Sequence, residues 1–251
     1  MSESPAPAGY ESFLVGRARV VARAALAGPL RSVMSGGSLY EWAARQPDAR
    51  GMPGRATAWA TTFPNGVEVV VRHSRHGGLL APLTGDLFLV PTRAPLELAA
   101  ALRLADAGVP TPDVLAYAVY PAIGPFARAD VATRLLRGLG LPEAWKAATS
   151  HDERWALIEV LSRLLGALRR AGAHHPDLNV RNVLVLDAAP GPTAAILDVD
   201  RVTFGTPGDA TLAGRNVRRL LRSMAKERVG YGVDLTSRQV HRLRETAGAG
   251  T

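Results

Sequence analysis

One stretch of the chain, HPDLNVRN at residues 175–182, combines residue types that can perform phosphoryl transfer. The carboxylate of Asp177 can orient an attacking hydroxyl group and accept its proton. Asn182 ends the same stretch, and Asp198 follows two further apolar segments. Amide and carboxylate oxygens are ligands that Mg²⁺ accepts beside nucleotide phosphates. We therefore expect Asp177 to be catalytic and Asn182 and Asp198 to bind the metal ion.

The neighbouring segments predict how this stretch is positioned. Residues 150–153, SHDE, have a capping-box pattern that predicts the start of a preceding helix. Apolar segments at 183–186 and 194–197 flank a Pro/Gly turn and predict two short strands. A strand–turn–strand hairpin would bring Asn182 and Asp198 together although they are distant in sequence. The alternative is a loop in which the aspartate and asparagine side chains merely cap turns.

The pattern H-x-D-x-x-x-x-N, followed by an apolar strand that ends in Asp, has the spacing of the protein-kinase catalytic segment. Protein kinases also place a cation on a strand, paired with a helix glutamate, to hold the α- and β-phosphates. No lysine precedes Lys146, so Arg72, at the end of the strand pattern VEVVV, is the predicted cation. Glu97, near the start of a helix predicted to begin at Pro95, is its predicted partner. The alternatives are a solvent-facing strand end and a charge favoured near a helix N-terminus.

Hydrophobic patterns elsewhere predict strands in the first half of the chain and helices in the second, which is typical of an α+β fold. Strands are predicted at 58–62, 67–71, 86–90, 114–119 and 129–135, and a basic helix at 212–228. Residues 13–26 are apolar with three arginines and predict an amphipathic helix, either packed on the protein or lying on anionic lipid. Residues 35–54 contain several turn signals.

Composition excludes several classes of protein. The 251 residues contain no cysteine, which excludes disulfides, cysteine-ligated zinc, iron–sulfur clusters and a cysteine nucleophile. The pattern G-x-x-x-x-G-K-[ST] does not occur, which excludes a P-loop nucleoside triphosphatase. The sequence has neither an apolar run of membrane-spanning length nor a signal-peptide pattern at its start, so we expect a cytoplasmic protein.

The formal net charge of +8 comes from arginine, since Lys146 and Lys226 are the two lysines among 30 basic residues. Arginine holds planar anions through paired donors. The excess therefore suggests nucleic acid, a membrane surface, or a phosphorylated or carboxylated substrate as partner. A genome of high G+C content, which encodes basic residues as arginine, is the alternative explanation.

Several motifs, taken in order, resemble the bacterial 3-deoxy-D-manno-octulosonic acid (Kdo) kinases of the lipopolysaccharide-kinase group. The resemblance covers roughly residues 50–228 and rests on GRATAW, VVVRHSRHGGL, TRAPLEL with GVPTP, RADVATRLL, HPDLNVRNVLV with ILDVDR, and NVRRLLRSMAK. The sequence departs from the family pattern at Ala56, where a glycine is usual, and at Pro95 and Leu96 before the glutamate. The first 50 residues resemble no motif of this family.

The resemblance implies an α+β, protein-kinase-like bilobal fold, with a small N-terminal antiparallel sheet lobe that has one helix and a mainly helical C-terminal lobe. The implied lobes are 51–136 and 137–251, and residues 1–50 form an extension that is partly helical or disordered. The implied reaction is ATP- and Mg²⁺-dependent phosphorylation of the 4-hydroxyl of Kdo on a lipid A precursor. It would take place at the cytoplasmic face of the inner membrane of a Gram-negative bacterium.

Family roles follow for residues that match the motifs. The resemblance implies that Asp177 orients or deprotonates the sugar hydroxyl. It implies that Asn182 and Asp198 hold Mg²⁺. It also implies that Arg72 and Glu97 form the pair that holds the nucleotide phosphates, with arginine replacing lysine as a trait of the family.

Other residues are expected to contact the nucleotide or the acceptor. Gly54 and Arg55 precede the first strand of the kinase lobe, where a phosphate-covering loop is expected. Kdo carries a carboxylate and lipid A carries phosphates, which arginine binds well. The candidates to bind these acceptor anions are Arg75, Arg218, Arg219 and Arg222. A solvated basic face is the alternative explanation for any one of them.

Other functions compete with this hypothesis. A kinase-like phosphotransferase could act on another core sugar or on an aminoglycoside or choline-like alcohol, but cationic acceptors favour acidic surfaces. A catalytically inactive scaffold should have lost Asp177, Asn182 or Asp198, and all are present. Aromatic residues make up 6% of the chain and do not interleave with the arginine clusters, which argues against a nucleic-acid binder.

The expected partners follow from these arguments. We expect a Kdo-bearing lipid A precursor as substrate, no nucleic acid and no obligate protein partner. A glycolipid acceptor resides in a membrane, so we also expect peripheral contact with an anionic membrane. The basic N-terminal segment or the C-terminal helix would make that contact.

Overall fold

The chain folds into two compact units. The computed structural model describes residues 5–52, 57–75, 85–187 and 191–248. Unit 1 contains Met1–Leu98 and Asp113–Leu135, and unit 2 contains Ala99–Pro112 and Leu136–Thr251. Strands dominate unit 1 and helices dominate unit 2, so the predicted α+β class is confirmed. Unit 1 takes in residues 1–50, the segment predicted as an extension.

Unit 1 is built on an eight-stranded sheet whose pairings are antiparallel. Its strands are β1 (Tyr10–Val15), β2 (Ala18–Arg23), β3 (Arg50–Met52), β4 (Ala58–Thr62), β5 (Glu68–His73), β6 (Phe88–Leu89), β7 (Val114–Pro121) and β8 (Phe126–Arg134). They are ordered β1-β2-β7-β8-β5-β4-β3, and β6 pairs with β8. The strands predicted at 58–62 and 67–71 are confirmed as β4 and β5, which pair with each other.

The amphipathic helix predicted over residues 13–26 is wrong. Residues 10–23 form the antiparallel pair β1 and β2, and β2 also pairs with β7. The exposed Arg17 and Arg19 lie on either side of the buried Ala18. The next three residues, Val20, Val21 and Ala22, are all buried, so pairing with β1 and β7 outweighs the helical preference of this segment.

The described residues of unit 1 include three α-helices: α1 (Ala27–Val33), α2 (Leu39–Ala44) and the first part of α3 (Ala94–Asp106), which continues into unit 2. The helix predicted near Pro95 is therefore confirmed as α3, and α1 and α2 add to the single helix expected in this lobe. A capping box of Ser38 and Glu41 begins α2, inside the segment in which we had identified turn signals. The core of unit 1 includes Phe13, Val20, Leu26, Leu30, Leu39, Phe63, Val69, Val71 and Leu115.

Unit 2 is mainly helical. Its helices are α4 (Leu141–Ala147), α5 (His151–Arg170), α6 (Ala210–Lys226), α7 (Arg228–Tyr231) and α8 (Ser237–Glu245). Its short strands are β9 (Leu139–Gly140), β10 (Ala173–His174), β11 (Val183–Leu186), β12 (Thr193–Ile196) and β13 (Thr203–Phe204). Buried side chains of this unit include Trp145, Ile158, Leu161, Leu168, Leu178, Ile196, Leu220 and Met224.

The helix predicted from the capping box is confirmed as α5. The Ser150 Oγ accepts the Glu153 N–H at 3.1 Å, and the Glu153 carboxylate accepts the Ser150 N–H at 2.9 Å. The helix is followed by Gly172, where a Cβ would lie 2.5 Å from the carbonyl oxygen of Gly205. A side chain therefore does not fit at the point where the chain turns from α5 into β10.

Every helix in the described part of the chain is too short or too polar to cross a lipid bilayer. The longest, α5, has 20 residues and carries charged side chains along its length.

Candidate active site

The hairpin of β11 and β12 brings two predicted metal ligands to the same end of a strand pair. Val183 lies opposite Ile196 in the antiparallel register. Just beyond this pair, the Leu197 N–H donates to the carbonyl oxygen of Asn182 at 2.9 Å. Asp198 follows directly, so Asn182 and Asp198 are neighbours across the hairpin although the sequence separates them. The strands predicted on either side of the Pro/Gly turn are thereby confirmed.

Asp198 has an unusual backbone conformation. Its φ of 58° and ψ of 55° are left-handed, and it is the one non-glycine residue with positive φ in the described part of the chain. This region costs about 1–2 kcal/mol for most residues, and aspartate and asparagine tolerate it best. The conformation turns the chain sharply after β12 and places the Asp198 side chain in an exposed position.

The chemistry of these two side chains fits a hard divalent cation. The Asn182 Nδ2 donates to the Asp177 carbonyl oxygen at 2.9 Å, which commits the amide nitrogen and directs the amide oxygen elsewhere. Within the described ranges, His, Cys, Asp and Glu side chains form no cluster of three that could hold a metal ion. Mg²⁺ commonly needs only one or two protein ligands, because substrate phosphates and water supply the rest. Asn182 and Asp198 match that requirement.

His175 connects the loop that carries Asp177 to the end of β12. The His175 side chain is buried, its Nδ1 accepts the Asp177 N–H at 3.2 Å, and its Nε2 lies 3.1 Å from the Leu197 carbonyl oxygen. Because Nδ1 accepts, Nε2 must carry the proton and donate it to that carbonyl. The His175 side chain in this tautomer therefore links the loop that carries Asp177 to the end of β12 beside Asp198.

One face of α6 holds the same loop from the other side. The Asn216 Oδ1 accepts the His175 N–H at 3.0 Å, and its Nδ2 donates to the Ala173 carbonyl oxygen at 2.8 Å. The Ser223 Oγ accepts the Val180 N–H at 3.1 Å. Residues seven apart lie on one face of a helix. We did not predict Asn216 or Ser223. The signal in the sequence was their separation by seven residues, which places two polar side chains on one face of a helix rich in arginine and leucine.

The same face of α6 also contacts the predicted catalytic carboxylate. Arg219, three residues after Asn216, places its Nη2 2.5 Å from the Asp177 Oδ1. Both side chains are partly exposed, so the ion pair contributes little to stability. Its effect is geometric, because a charged hydrogen bond limits the rotation of the Asp177 carboxylate.

Unit 1 contains the predicted ion pair. The Arg72 Nη2 on β5 donates to the Glu97 Oε1 on α3 in a short hydrogen bond. Glu97 is buried and lies in the first turn of α3, where the helix dipole favours a carboxylate. A buried carboxylate needs a partner cation. The pair therefore fixes the Arg72 guanidinium at the end of a strand.

With this geometry established, the chain was compared with known proteins. Residues 40–246 match the model of the lipopolysaccharide kinase (Kdo/WaaP) family. The chain is 31% identical to the 3-deoxy-D-manno-octulosonic acid kinase of Xylella fastidiosa strain 9a5c over 219 residues, 86% of this chain and 84% of the relative. The chain belongs to the lipopolysaccharide kinase family. It is therefore a kinase, that is, a phosphotransferase, as the spacing of its catalytic segment predicted.

Two further comparisons agree with this assignment. A Vibrio vulnificus (strain CMCP6) protein of the same name is 29% identical over 207 residues, 80% of this chain and 84% of the relative. The solved structure of WaaP in complex with acyl carrier protein aligns with a TM-score of 0.59 and 20% identity, over 89% of this chain and 87% of that one. This likeness shows the protein-kinase-like fold.

The remaining residues predicted to bind the nucleotide or the acceptor of this lipopolysaccharide kinase are either exposed or outside the described residues. Gly54 and Arg55 lie outside the described residues. Arg75 is exposed and follows β5 by two residues. Arg218 and Arg222 are exposed on α6, whereas Arg219 is the arginine of this group that contacts Asp177. The roles assigned to these residues stay predictions.

The kinase also has a buried polar network next to Arg72 that we did not predict. His73 Nδ1 lies 2.6 Å from a carboxylate oxygen of the fully buried Asp130, and its Nε2 lies 2.9 Å from Asp86. Asp130 also accepts the Tyr120 hydroxyl and the Tyr40 N–H, each at 2.9 Å. The hydrogen bond to Asp130 outweighs burial and raises the pKa of His73. The network ties the start of α2 to β5 and β8.

Proposed function

We propose that this protein is an ATP-dependent kinase that phosphorylates the 4-hydroxyl of Kdo on a lipid A precursor, with Mg²⁺ as cofactor. The observation that carries the proposal is the arrangement around residues 175–182 of unit 2, called here the catalytic loop. There Asp177 is held by Arg219, and Asn182 and Asp198 lie together at the end of one hairpin. Relatives named Kdo kinase, which align over most of the chain, support the choice of acceptor.

Asp177 receives the sugar hydroxyl in this proposal. Phosphoryl transfer has a loose transition state, so orientation of the attacking hydroxyl matters more than early removal of its proton. The hydroxyl donates a hydrogen bond to the Asp177 carboxylate, which takes the proton as the sugar oxygen bonds to the γ-phosphorus of ATP and the bond from that phosphorus to ADP breaks. The Arg219 contact and the Asp177 N–H bond to His175 hold the carboxylate in place for that step.

Charged groups of the chain hold the nucleotide in this proposal. The amide oxygen of Asn182 and the carboxylate of Asp198 would bind Mg²⁺, which supplies positive charge to the β- and γ-phosphate oxygens when bound. The Arg72 guanidinium binds α- and β-phosphate oxygens, and Glu97 keeps it from rotating away. An arginine serves here because its planar donors match phosphate geometry.

Exposed arginines give the acceptor its binding surface in this proposal. Arg215, Arg218 and Arg222 are exposed on α6, the helix that also carries Arg219. A carboxylate on Kdo and phosphates on lipid A suit such a surface, because guanidinium groups bind both in paired hydrogen bonds. Because the acceptor is a glycolipid, the enzyme works as a peripheral protein on the cytoplasmic side of the inner membrane.

The proposal is tested by transfer of labelled phosphate from ATP to a Kdo-bearing lipid A precursor in the presence of Mg²⁺. Wild-type protein should phosphorylate the acceptor, and NMR of the product should place the phosphate on the 4-hydroxyl. Asp177→Asn should lower turnover by about 10³-fold, because the hydroxyl loses its proton acceptor. Asp187→Asn, an exposed aspartate in the same unit, is the matched control and should leave turnover unchanged.

Two results would contradict the proposal. Near-wild-type turnover of Asp177→Asn would remove the mechanism, since another group would have to receive the hydroxyl proton. Binding of ATP without transfer to any Kdo-bearing acceptor would instead keep the kinase fold and direct the search to other anionic sugars.

A further inference from the structure

Unit 1 exposes a cluster of large apolar side chains at the turn between β7 and β8. Ile123 is 84% exposed, Phe126 39%, Leu89 63% and Val90 48%. Leu89 lies opposite Phe126 in the pairing of β6 with β8, and the Val90 N–H donates to the Pro125 carbonyl oxygen at 3.1 Å. These four side chains therefore form one surface, called here the turn patch.

The fold of unit 1 does not require apolar residues at these positions. The turn is closed by backbone bonds, from the Ala122 N–H to Phe126 at 2.9 Å and from the Phe126 N–H to Ile123 at 3.2 Å. Gly124, with φ of 58°, provides the left-handed residue of the turn. Single exposed apolar residues are ordinary on protein surfaces, but a contiguous group of them indicates an interaction site.

Basic side chains stand next to the turn patch. Arg19 on β2 lies opposite Val119 of β7, and Arg17 lines a cavity of about 300 Å³ together with Pro121, the last residue of β7. Both arginines are exposed. Apolar side chains bordered by arginines match the interface of an anionic bilayer, where acyl chains begin beneath phosphate groups.

Asp86, the acidic residue beside the turn patch, does not oppose contact with an anionic bilayer. The Asp86 carboxylate accepts from Arg128 Nε at 2.8 Å and lies 2.9 Å from His73 Nε2. The hydrogen bond to Asp130, the largest influence, raises the pKa of His73, which favours its cationic form. The Arg128 guanidinium therefore balances the charge of this carboxylate.

The shape of the surface also favours a bilayer over a protein. The most exposed side chain, Ile123, stands at the tip of a turn, so the surface is a projection and not a groove. A stable protein interface buries about 800 Å² on each partner, which is more than four side chains on one turn provide. A projection can enter the headgroup region of a bilayer without a complementary surface.

We propose that the turn patch inserts into the headgroup region of anionic membranes, with Arg17 and Arg19 on lipid phosphates. The contact replaces the amphipathic helix that we expected at the N-terminus. The inference rests on the proposed function in one respect, namely that the acceptor is a glycolipid. Its purpose would be to keep the enzyme at the surface where the acceptor resides.

The absence of cysteine from the chain allows a direct test. Ile123→Cys would be labelled with an environment-sensitive fluorophore and mixed with vesicles of phosphatidylethanolamine and phosphatidylglycerol. We expect a blue shift and a several-fold rise in fluorescence, which phosphatidylcholine vesicles should not produce. Val229→Cys is the matched control, because Val229 is 98% exposed on α7 of unit 2. No response at Ile123, or an equal response at both positions, would overturn the proposal.

Vesicle co-sedimentation measures the contribution of each part of the surface. Ile123→Asp should weaken binding at least about tenfold, because it removes a large apolar side chain from the bilayer and adds a charge that an anionic surface repels. Val229→Asp should leave binding unchanged. Arg17→Gln and Arg19→Gln should each weaken binding about fivefold on anionic vesicles, as expected for one cation near a charged surface. Equal binding of Ile123→Asp and wild-type protein would contradict the assignment of this surface.

A transfer assay separates this inference from the proposed function. Ile123→Asp should retain wild-type turnover on a de-O-acylated, water-soluble Kdo acceptor and lose it on the vesicle-embedded acceptor. Equal turnover of this variant and wild type on the embedded acceptor would overturn the inference and leave the kinase proposal intact. Failure of transfer to every Kdo acceptor would contradict the kinase proposal, while the fluorescence result would still decide the membrane contact. Unchanged thermal unfolding of the variants verifies that they fold.

Discussion

The catalytic loop of unit 2 and the ion-pair site of unit 1 are assembled in different ways. In unit 2, the predicted catalytic and metal-binding residues lie between Asp177 and Asp198, and one hairpin brings the metal ligands together. In unit 1, Arg72 depends on Glu97 from a different element, and its neighbour His73 depends on Asp130 from β8. A local chain segment builds the first site, and pairings between distant segments build the second.

The comparison distinguishes residues that take part in the reaction from residues that position or support them. A short segment must keep fixed residue types at fixed spacing, because the reacting atoms impose both. Supporting residues can come from any element that the fold brings close, so their spacing in sequence carries little information. Substitutions in the catalytic loop should therefore affect turnover, whereas substitutions in the His73–Asp130 network of unit 1 should affect stability.

Asp198→Asn should produce the largest effect. Loss of the charged ligand should lower turnover by about 10³-fold, and raised Mg²⁺ concentration should restore part of it. Asparagine tolerates the left-handed backbone at this position, so the melting temperature should stay within about 2 °C of wild type. Steady-state transfer assays and calorimetry test both expectations. Wild-type turnover at ordinary Mg²⁺ concentration would show that Asp198 is not a ligand.

His73→Asn should affect stability in a manner that depends on pH. The hydrogen bond to Asp130 raises the pKa of His73 above its unfolded value of about 6.5. The stabilisation by protonated His73 is therefore complete below that pH and is lost as pH rises through the folded pKa. The variant should lose about 2 kcal/mol at pH 6 and less at pH 9, measured by urea unfolding.

The control for this prediction is His241→Asn. His241 is an exposed histidine whose Nε2 lies 3.2 Å from a Glu245 carboxylate oxygen. Exposed ion pairs contribute little, so its free energy of unfolding should change by less than about 0.5 kcal/mol at either pH. A pH-independent loss for His73→Asn would show that packing, and not charge, is what His73 contributes.

Arg219→Gln should produce the smallest effect of the three. It should lower kcat about tenfold with little change in KM for ATP, because the Asp177 carboxylate loses a charged hydrogen bond that orients it. Lys226→Gln, which removes an exposed cation of α6 outside the proposed acceptor surface, is the matched control and should retain kcat. Equal kcat values for the two variants would contradict an orienting role for Arg219.

The sequence predicted the local features well. Residues 150–153 marked the start of α5, and the apolar segments on either side of the Pro/Gly turn became β11 and β12. Arg72 and Glu97 could be paired because a kinase needs a cation and a glutamate on adjacent elements. In each case a short pattern contained the information that the structure uses.

Features that depend on distant segments were missed. Residues 13–26, apolar with three arginines, predict a helix when taken alone, because a strand at this position needs β7 as a partner and β7 lies far along the chain. Ser38 and Glu41 form a capping box, but the glycines before it suggested a turn. Asn216 and Ser223 could be recognised as supports only after α6 was placed against the catalytic loop.

The position of α6 has a consequence for synthesis of the enzyme. A ribosome completes Asp177, Asn182 and Asp198 before it reaches Asn216, Arg219 and Ser223, which hold their loop. A nascent chain therefore carries every predicted catalytic residue for some time before it can work. A gene truncated between these segments would encode a product that still displays the catalytic motif, without the helix whose side chains hold the loop of Asp177.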